Sequence, residues 1–204
     1  VPVPWIDQVK GFIARDEGNA LFELGKSCSP KGPCLEIGGY CGLSTIYIGT
    51  GVKGKQGILY SVDHHKGSEE HQPGEEFHDP DLFDSQRDRV DSFYEFRKNI
   101  ARANLEEVVV PIVAPSMVTA RQWYTSLSMV FIDGGHSYEA ALTDYRSWAS
   151  HVLPDGILAI HDIFTDPDQG GQAPYQIYQL ALESGLFVEY EMINTLGLLR
   201  RVST

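Results

Sequence analysis

The chain of 204 residues carries 28 acidic against 16 basic side chains, a formal net charge of −12, with 42% hydrophobic and 22% charged residues. Such a length and apolar content suffice for one domain, spanning residues 1–204, with a substantial core. The acidic surplus argues against a nucleic-acid partner and against an anionic membrane surface, both of which need clustered Lys and Arg; no apolar run reaches the length of a bilayer span.

The opening VPVPWIDQVKGF has no apolar signal core and no initiator Met, which is compatible with a trimmed N-terminus and with a removed leader. Cys28, Cys34 and Cys41 are odd in number and form no CxxC pair. They read as packing residues, with a reducing cytoplasm as the expected compartment. Trp5, Ile6, Val9, Phe12, Ile13, Leu21 and Leu24 recur at three- and four-residue steps and predict an amphipathic helical segment over 1–26. After a Ser/Gly/Pro loop over 27–33, a first strand is expected over 34–37, a helix from 43, and a second strand over 58–62 that ends at Asp63.

Residues 64–84 differ in character. They hold four of the seven His, several acids, Pro73 and Pro80, with little apolar periodicity. A long loop inside a compact domain is usually functional, and this one reads as a substrate lid. Helical pattern returns over 85–105. A strand follows over 108–113, a short helix over 117–123, and a strand over 129–132 that runs into Asp133-Gly134-Gly135-His136. A helix over 138–151, a Pro-Asp-Gly turn over 154–156 and a strand over 157–160 lead to His161-Asp162. A helix over 175–184 and an antiparallel pair of strands, 187–192 and 196–201, close the chain.

Short apolar strands alternating with helices predict an α/β, Rossmann-like fold with a mostly parallel sheet and helices on both faces. Ligands of such sheets sit beyond the carboxyl ends of the strands. Glu36 to Gly42, Asp63, Ser116, Asp133 to His136 and His161-Asp162 all fall at those ends, so they are expected to meet around one crevice.

The most informative stretch is LEIGGYCGLS, residues 35–44. Its glycines allow positive φ and close approach of a ligand to the backbone, and Ser44 opens a helix whose N-terminus faces the same side. The G-x-G-x-x-G spacing of dinucleotide-binding turns is not met, which weakens an NAD(P)-dependent oxidoreductase as the alternative. Asp63 is placed to accept hydrogen bonds from ribose hydroxyls under either reading.

LEIGGYCGLS resembles the S-adenosylmethionine turn of class I methyltransferases, most closely the catechol O-methyltransferase-like group. The resemblance extends over nearly the whole chain. It takes in Asp63, Ser116, FIDGGHSYEAALTDY and the two final strands, implying seven strands with the last antiparallel. The pairing of FIDGGH with IHDIF is most similar to bacterial metal-assisted enzymes that methylate hydroxyls of sugars and antibiotics. The resemblance implies that Glu36, Gly38 and Gly42 line the methionine part of the cofactor, that Asp63 holds the ribose, and that Ser116 lies near adenine. Gly39, Ser44, His64 and Asp133 complete the expected cofactor pocket. The implied acceptor is a small-molecule hydroxyl, and a homo-oligomer is compatible with the sequence.

An alcohol is a poor nucleophile while protonated, so it needs a base, a Lewis-acid metal, or both. Asp133 and Asp162 are the expected ligands of Mg²⁺ or another divalent cation, since hard oxygen donors suit such ions. The catechol-type relatives carry an Asp-Asn pair where this chain has His161-Asp162, so His161 is a further candidate ligand, for a softer ion, or a strand cap. His136 stands where those relatives carry a catalytic Lys, and an imidazole accepts protons near neutral pH. His136 and Asp133 are therefore the expected catalytic residues. Metal-free methyl transfer with His136 alone as base is the nearest variant.

Overall fold

In the computed structural model, which describes residues 3–75 and 77–203, seven strands form one sheet. The chain enters through a short 3₁₀ turn, Ile6–Gln8, and an extended strap leading to helix α1, Arg15–Cys28. Then come β1 (Cys34–Ile37), α2 (Leu43–Lys53) and β2 (Leu59–Asp63). The hairpin β3 (Phe83–Asp84) and β4 (Arg89–Val90) precedes α3 (Phe93–Arg102), β5 (Val109–Val113) and α4 (Ser116–Ala120). The second half comprises β6 (Leu127–Ile132), α5 (Tyr138–Trp148), β7 (Val152–Ile160), α6 (Ala173–Glu183), β8 (Phe187–Ile193) and β9 (Leu196–Arg201).

The sheet order is β5-β2-β1-β6-β7-β9-β8. Pairings from β5 through β7 are parallel, and β9 runs antiparallel to both neighbours. Alternation along the central strands divides the core between the two faces. Cys34, Met129 and Phe131 pack with α1, α2 and α3; Leu35, Val130 and Ile132 pack with α5 and α6 through Tyr145, Trp148 and Ile177. Helices α1 and α2 touch closely because Gly51 has no side chain: a Cβ there would overlap the Phe22 carbonyl.

Register puts the strand ends at one level. Ile37 pairs with Val62 and Ile132, and Ile132 pairs with Ile160. The ladder continues one residue further, with Asp133 N–H donating to Ile37 O at 3.0 Å and His161 N–H to Ile132 O at 3.1 Å. The residues that follow β1, β2, β6 and β7 are thus neighbours.

Three elements differ from the sequence expectation. The N-terminal apolar pattern is a strap plus a helix, because Gly11 lies in extended backbone against Leu43 and the helix starts only where Glu17 accepts the Ala14 N–H. The helix expected from 85 begins at Phe93. Asp84 accepts the N–H groups of Gln86 and Arg87 and Asp88 takes a positive φ of 51°, so this charged run makes a hairpin turn. The Pro-Asp-Gly stretch at 154–156 is absorbed into β7, where the pairing with β6 shifts register between Leu127 and Met129. All three cysteines are buried and free, as expected of packing residues. Among the described residues no helix is long and apolar enough to cross a membrane.

Candidate active site

The glycine turn leaves β1 at Gly38, whose φ of 93° and lack of a Cβ let the backbone pass against the Asp133 carbonyl. Gly42, also left-handed at φ 94°, delivers the chain into α2. Asp63 ties this turn to β2. Its carboxylate accepts the Tyr40 N–H at 2.8 Å and the His65 N–H at 2.6 Å. Gly38, Gly39, Gly42 and Asp63 therefore come together as expected.

Glu36 and Ser44 lie beneath the turn rather than on its surface. Glu36 is fully buried and accepts hydroxyl hydrogen bonds from Ser61 at 2.8 Å, Ser44 at 3.1 Å and Thr45. Burial pushes its carboxyl up to about 7 despite those donors. Its place is that of a support for the turn. Ser116 is engaged on the other side of the sheet, accepting the Trp148 Nε1–H at 2.7 Å. His64 is exposed, with Nδ1 accepting the Lys66 N–H at 3.0 Å.

Beyond β6 and β7, one ligand atom from each of Asp133, His136 and Asp162 lies within 4.8 Å of the others. Asp162 reaches this position through a positive φ of 59°, and its Oδ2 is 3.0 Å from His136 Nε2. That hydrogen bond, with Glu70 and Asp133 adding their charge, pushes His136 up to about 9 against the opposing effect of burial. Two carboxylates and one imidazole form a donor set that suits Mg²⁺, Mn²⁺ or Fe²⁺.

His161 is not part of that cluster. It lies behind it, buried, with Nδ1 3.1 Å from Asp133 Oδ1 and Nε2 3.1 Å from Glu17 Oε2. Carboxylates only accept, so both ring nitrogens donate. Burial alone would depress its pKa, but Asp133, Asp162 and Glu17 drive it up to about 12. Buried between these carboxylates and outside the cluster of Asp133, His136 and Asp162, His161 orients Asp133. Glu17, the residue beneath it, also accepts from Ala14 N–H and from the N–H and hydroxyl of Thr195. Burial would raise the Glu17 carboxyl, yet His161 and Thr195 hold it down to about 2.

From the described part of 64–84, Glu70 and His71 lie against residues that follow these strands. A 3₁₀ turn, Glu69–His71, sets Glu70 Oε2 3.0 Å from His136 Nδ1 and stacks the His71 ring on Tyr40 at 4.9 Å. His71 Nδ1 accepts the Ser68 N–H, so in the neutral ring Nε2 carries the proton. That buried Nε2 has no partner among the described residues, which leaves a donor for a bound molecule beside the glycine turn. Between strap and lid a cleft of about 340 Å³ is lined by Lys10, Phe12, Tyr40, Phe77 and Asp79.

Two residues of the site carry no motif, Glu17 and Glu70. Glu17 had a readable signal: it occupies the apolar stripe Ile13, Leu21, Leu24 of α1, where an acid must find a buried partner. Glu70 is one acid among several in its loop, and nothing local distinguishes it.

Residues 35–163 match a family described as "Methyltransferase domain". The chain belongs to this family. The methyltransferase has the class I S-adenosylmethionine-dependent fold, with S-adenosylmethionine as its methyl donor, and the nicotinamide alternative is set aside. Similar solved structures include cofactor-bound Rv0187 from MTB, 17% identical over 98% of this chain and 87% of that one, TM-score 0.68. TomG from Streptomyces achromogenes, an O-methyltransferase involved in tomaymycin synthesis and solved with SAM, is 14% identical over 94% and 82%, TM-score 0.62. An O-methyltransferase from Bacillus cereus, solved with SAH, is 16% identical over 97% and 86%, TM-score 0.65.

Proposed function

We propose that this methyltransferase transfers a methyl group from S-adenosylmethionine to a hydroxyl of a small molecule, with a divalent cation held by Asp133, His136 and Asp162. The observation that carries this reading is the convergence of those three side chains directly beside the turn anchored by Asp63. The similar O-methyltransferases from Streptomyces achromogenes and Bacillus cereus support the hydroxyl as acceptor.

A bound cation supplies Lewis acidity, which eases loss of the acceptor's proton, and the cofactor supplies a methyl already activated on sulfur. The chain's own residues supply position. Orientation of two reactants accounts for up to roughly 7–11 kcal/mol of such a barrier. Asp63 and the glycine turn would position the donor, while Asp133 and Asp162 would hold the cation whose charge draws in the acceptor oxygen. His136 acts as the third ligand through Nε2. Ligating through Nε2 requires that nitrogen to have lost its proton, so in this reading His136 is not the base and the acceptor's proton would pass to solvent water. Residues 64–84 serve as the lid, and the cleft at Phe12, Tyr40 and Phe77 is the acceptor's way in.

The test is release of S-adenosylhomocysteine with a panel of hydroxylated acceptors. A chelator should abolish turnover, and Asp133→Asn or Asp162→Asn should each lower kcat/KM by roughly a hundredfold. Full methylation by both variants would sink the metal-assisted mechanism.

A further inference from the structure

We infer that Glu70 of the lid is a positioning residue for the cation site, so that docking of the lid and loading of the site are one linked event. The inference rests on the proposed Asp133/His136/Asp162 site. An imidazole that ligates through one nitrogen usually donates its other N–H to a carboxylate or carbonyl, which fixes tautomer and ring orientation. His136 shows this arrangement. Its Nε2 faces Asp162 Oδ2 at 3.0 Å, and its Nδ1 faces Glu70 Oε2 at 3.0 Å. Asp133 and Asp162 leave the ends of sheet strands, and Asp133 is braced by His161 from behind. Glu70, alone among the charged partners named at the site, comes from the lid.

The lid is in turn held at places outside the Asp133/His136/Asp162 cluster. Gln72 Nε2 donates to Ser68 O at 2.9 Å and closes the turn that presents Glu70. His71 lies on Tyr40. At the far end Lys10 on the strap pairs with Asp79 at 2.5 Å and Asp81 at 3.0 Å. Undocking the lid removes the acceptor of the His136 Nδ1–H and frees the ring to rotate away from Asp162. Linkage then requires the reverse, that a cation at the site favours the docked lid by the same factor.

The experiment uses the whole chain and Mn²⁺ alone, with affinity read by titration calorimetry and lid docking by the rate of tryptic cleavage after the exposed Lys66. Glu70→Gln, which keeps the shape and removes the charge, should weaken Mn²⁺ binding by about 10–100-fold and abolish the protection that Mn²⁺ confers on Lys66. Lys10→Ala, which alters no residue of the Asp133/His136/Asp162 cluster, should weaken Mn²⁺ binding to a smaller extent. Unchanged Mn²⁺ affinity and protection in Glu70→Gln would overturn the inference. Asp162→Asn separates the two readings: if it loses Mn²⁺ while Glu70→Gln does not, the site stands and the role of Glu70 falls. If the unaltered protein binds no Mn²⁺, both fall.

Discussion

Glu36 is a carboxylate placed where a carboxylate is costly. It is wholly enclosed, and three hydroxyl donors compensate its charge only in part, leaving its pKa at about 7 against the ordinary 4.5. The sign follows directly. Below pH 4.5 both folded and unfolded chains hold the proton and Glu36 contributes nothing. Between 4.5 and 7 the unfolded chain releases it first, so stability falls as pH rises, and above 7 the loss is constant at about 3 kcal/mol. Glu36→Gln is therefore expected to match the unaltered protein near pH 4 and to exceed it in denaturant midpoint at pH 8. A parallel pH dependence in the two proteins would show that the hydroxyls satisfy the ionised form. At the same scale, the different surroundings of the two histidines follow from their partners. His161 has carboxylates at both nitrogens from fixed elements, whereas His136 has one from β7's end and one from the lid.

Among the elements, the glycine turn is the least tolerant of change. Gly38 combines a left-handed backbone with contact to the Asp133 carbonyl, so an added methyl is unfavourable on both counts. Gly38→Ala is expected to cost about 1–3 kcal/mol of stability and to weaken S-adenosylhomocysteine binding by displacing Tyr40 N–H from Asp63. Isothermal titration with S-adenosylhomocysteine would reveal this, and wild-type affinity in a folded Gly38→Ala protein would mean that the turn does not touch the cofactor. The lid shows how far local sequence informs an element. Its lack of apolar periodicity marks residues 64–84 as irregular, and among its described residues two 3₁₀ turns and the two-residue strand β3 are the regular structure. The boundary with α3 is misread because Ser85 to Asp91 is charged at helix-compatible spacing, and only Asp84's hydrogen bonds to the following N–H groups commit it to a hairpin turn.

At the scale of the molecule, Glu17 joins parts of the chain that are remote in sequence. It holds α1 to the turn between β8 and β9 through Thr195 and to the end of β7 through His161. Removing it would leave a buried imidazolium facing uncompensated polar groups. Glu17→Ala is expected to lose about 3–5 kcal/mol, measured by equilibrium denaturation at pH 7. A loss within the range of an exposed substitution would show that His161 becomes neutral at little cost. The order of the sheet also explains why one crevice collects the site: β1, β2, β6 and β7 are adjacent in space and end at the same level.

The sequence by itself determined the class of fold, the turn, and the gathering of Asp63, Asp133, His136 and Asp162 at one end of the sheet. Strand period and strand-end position are local properties, and the parallel arrangement then forces such ends together. Only the tertiary structure decided which polar groups face the crevice and which serve as its foundation. Glu36 and His161 carry the motif yet are spent on buried partners. Glu17 and Glu70 carry no motif yet meet the two histidines across 144 and 66 residues of chain. Long-range pairing sets those roles, and although the apolar stripe around Glu17 betrays its burial, a partner so far away is not written in the neighbours of a residue along the chain.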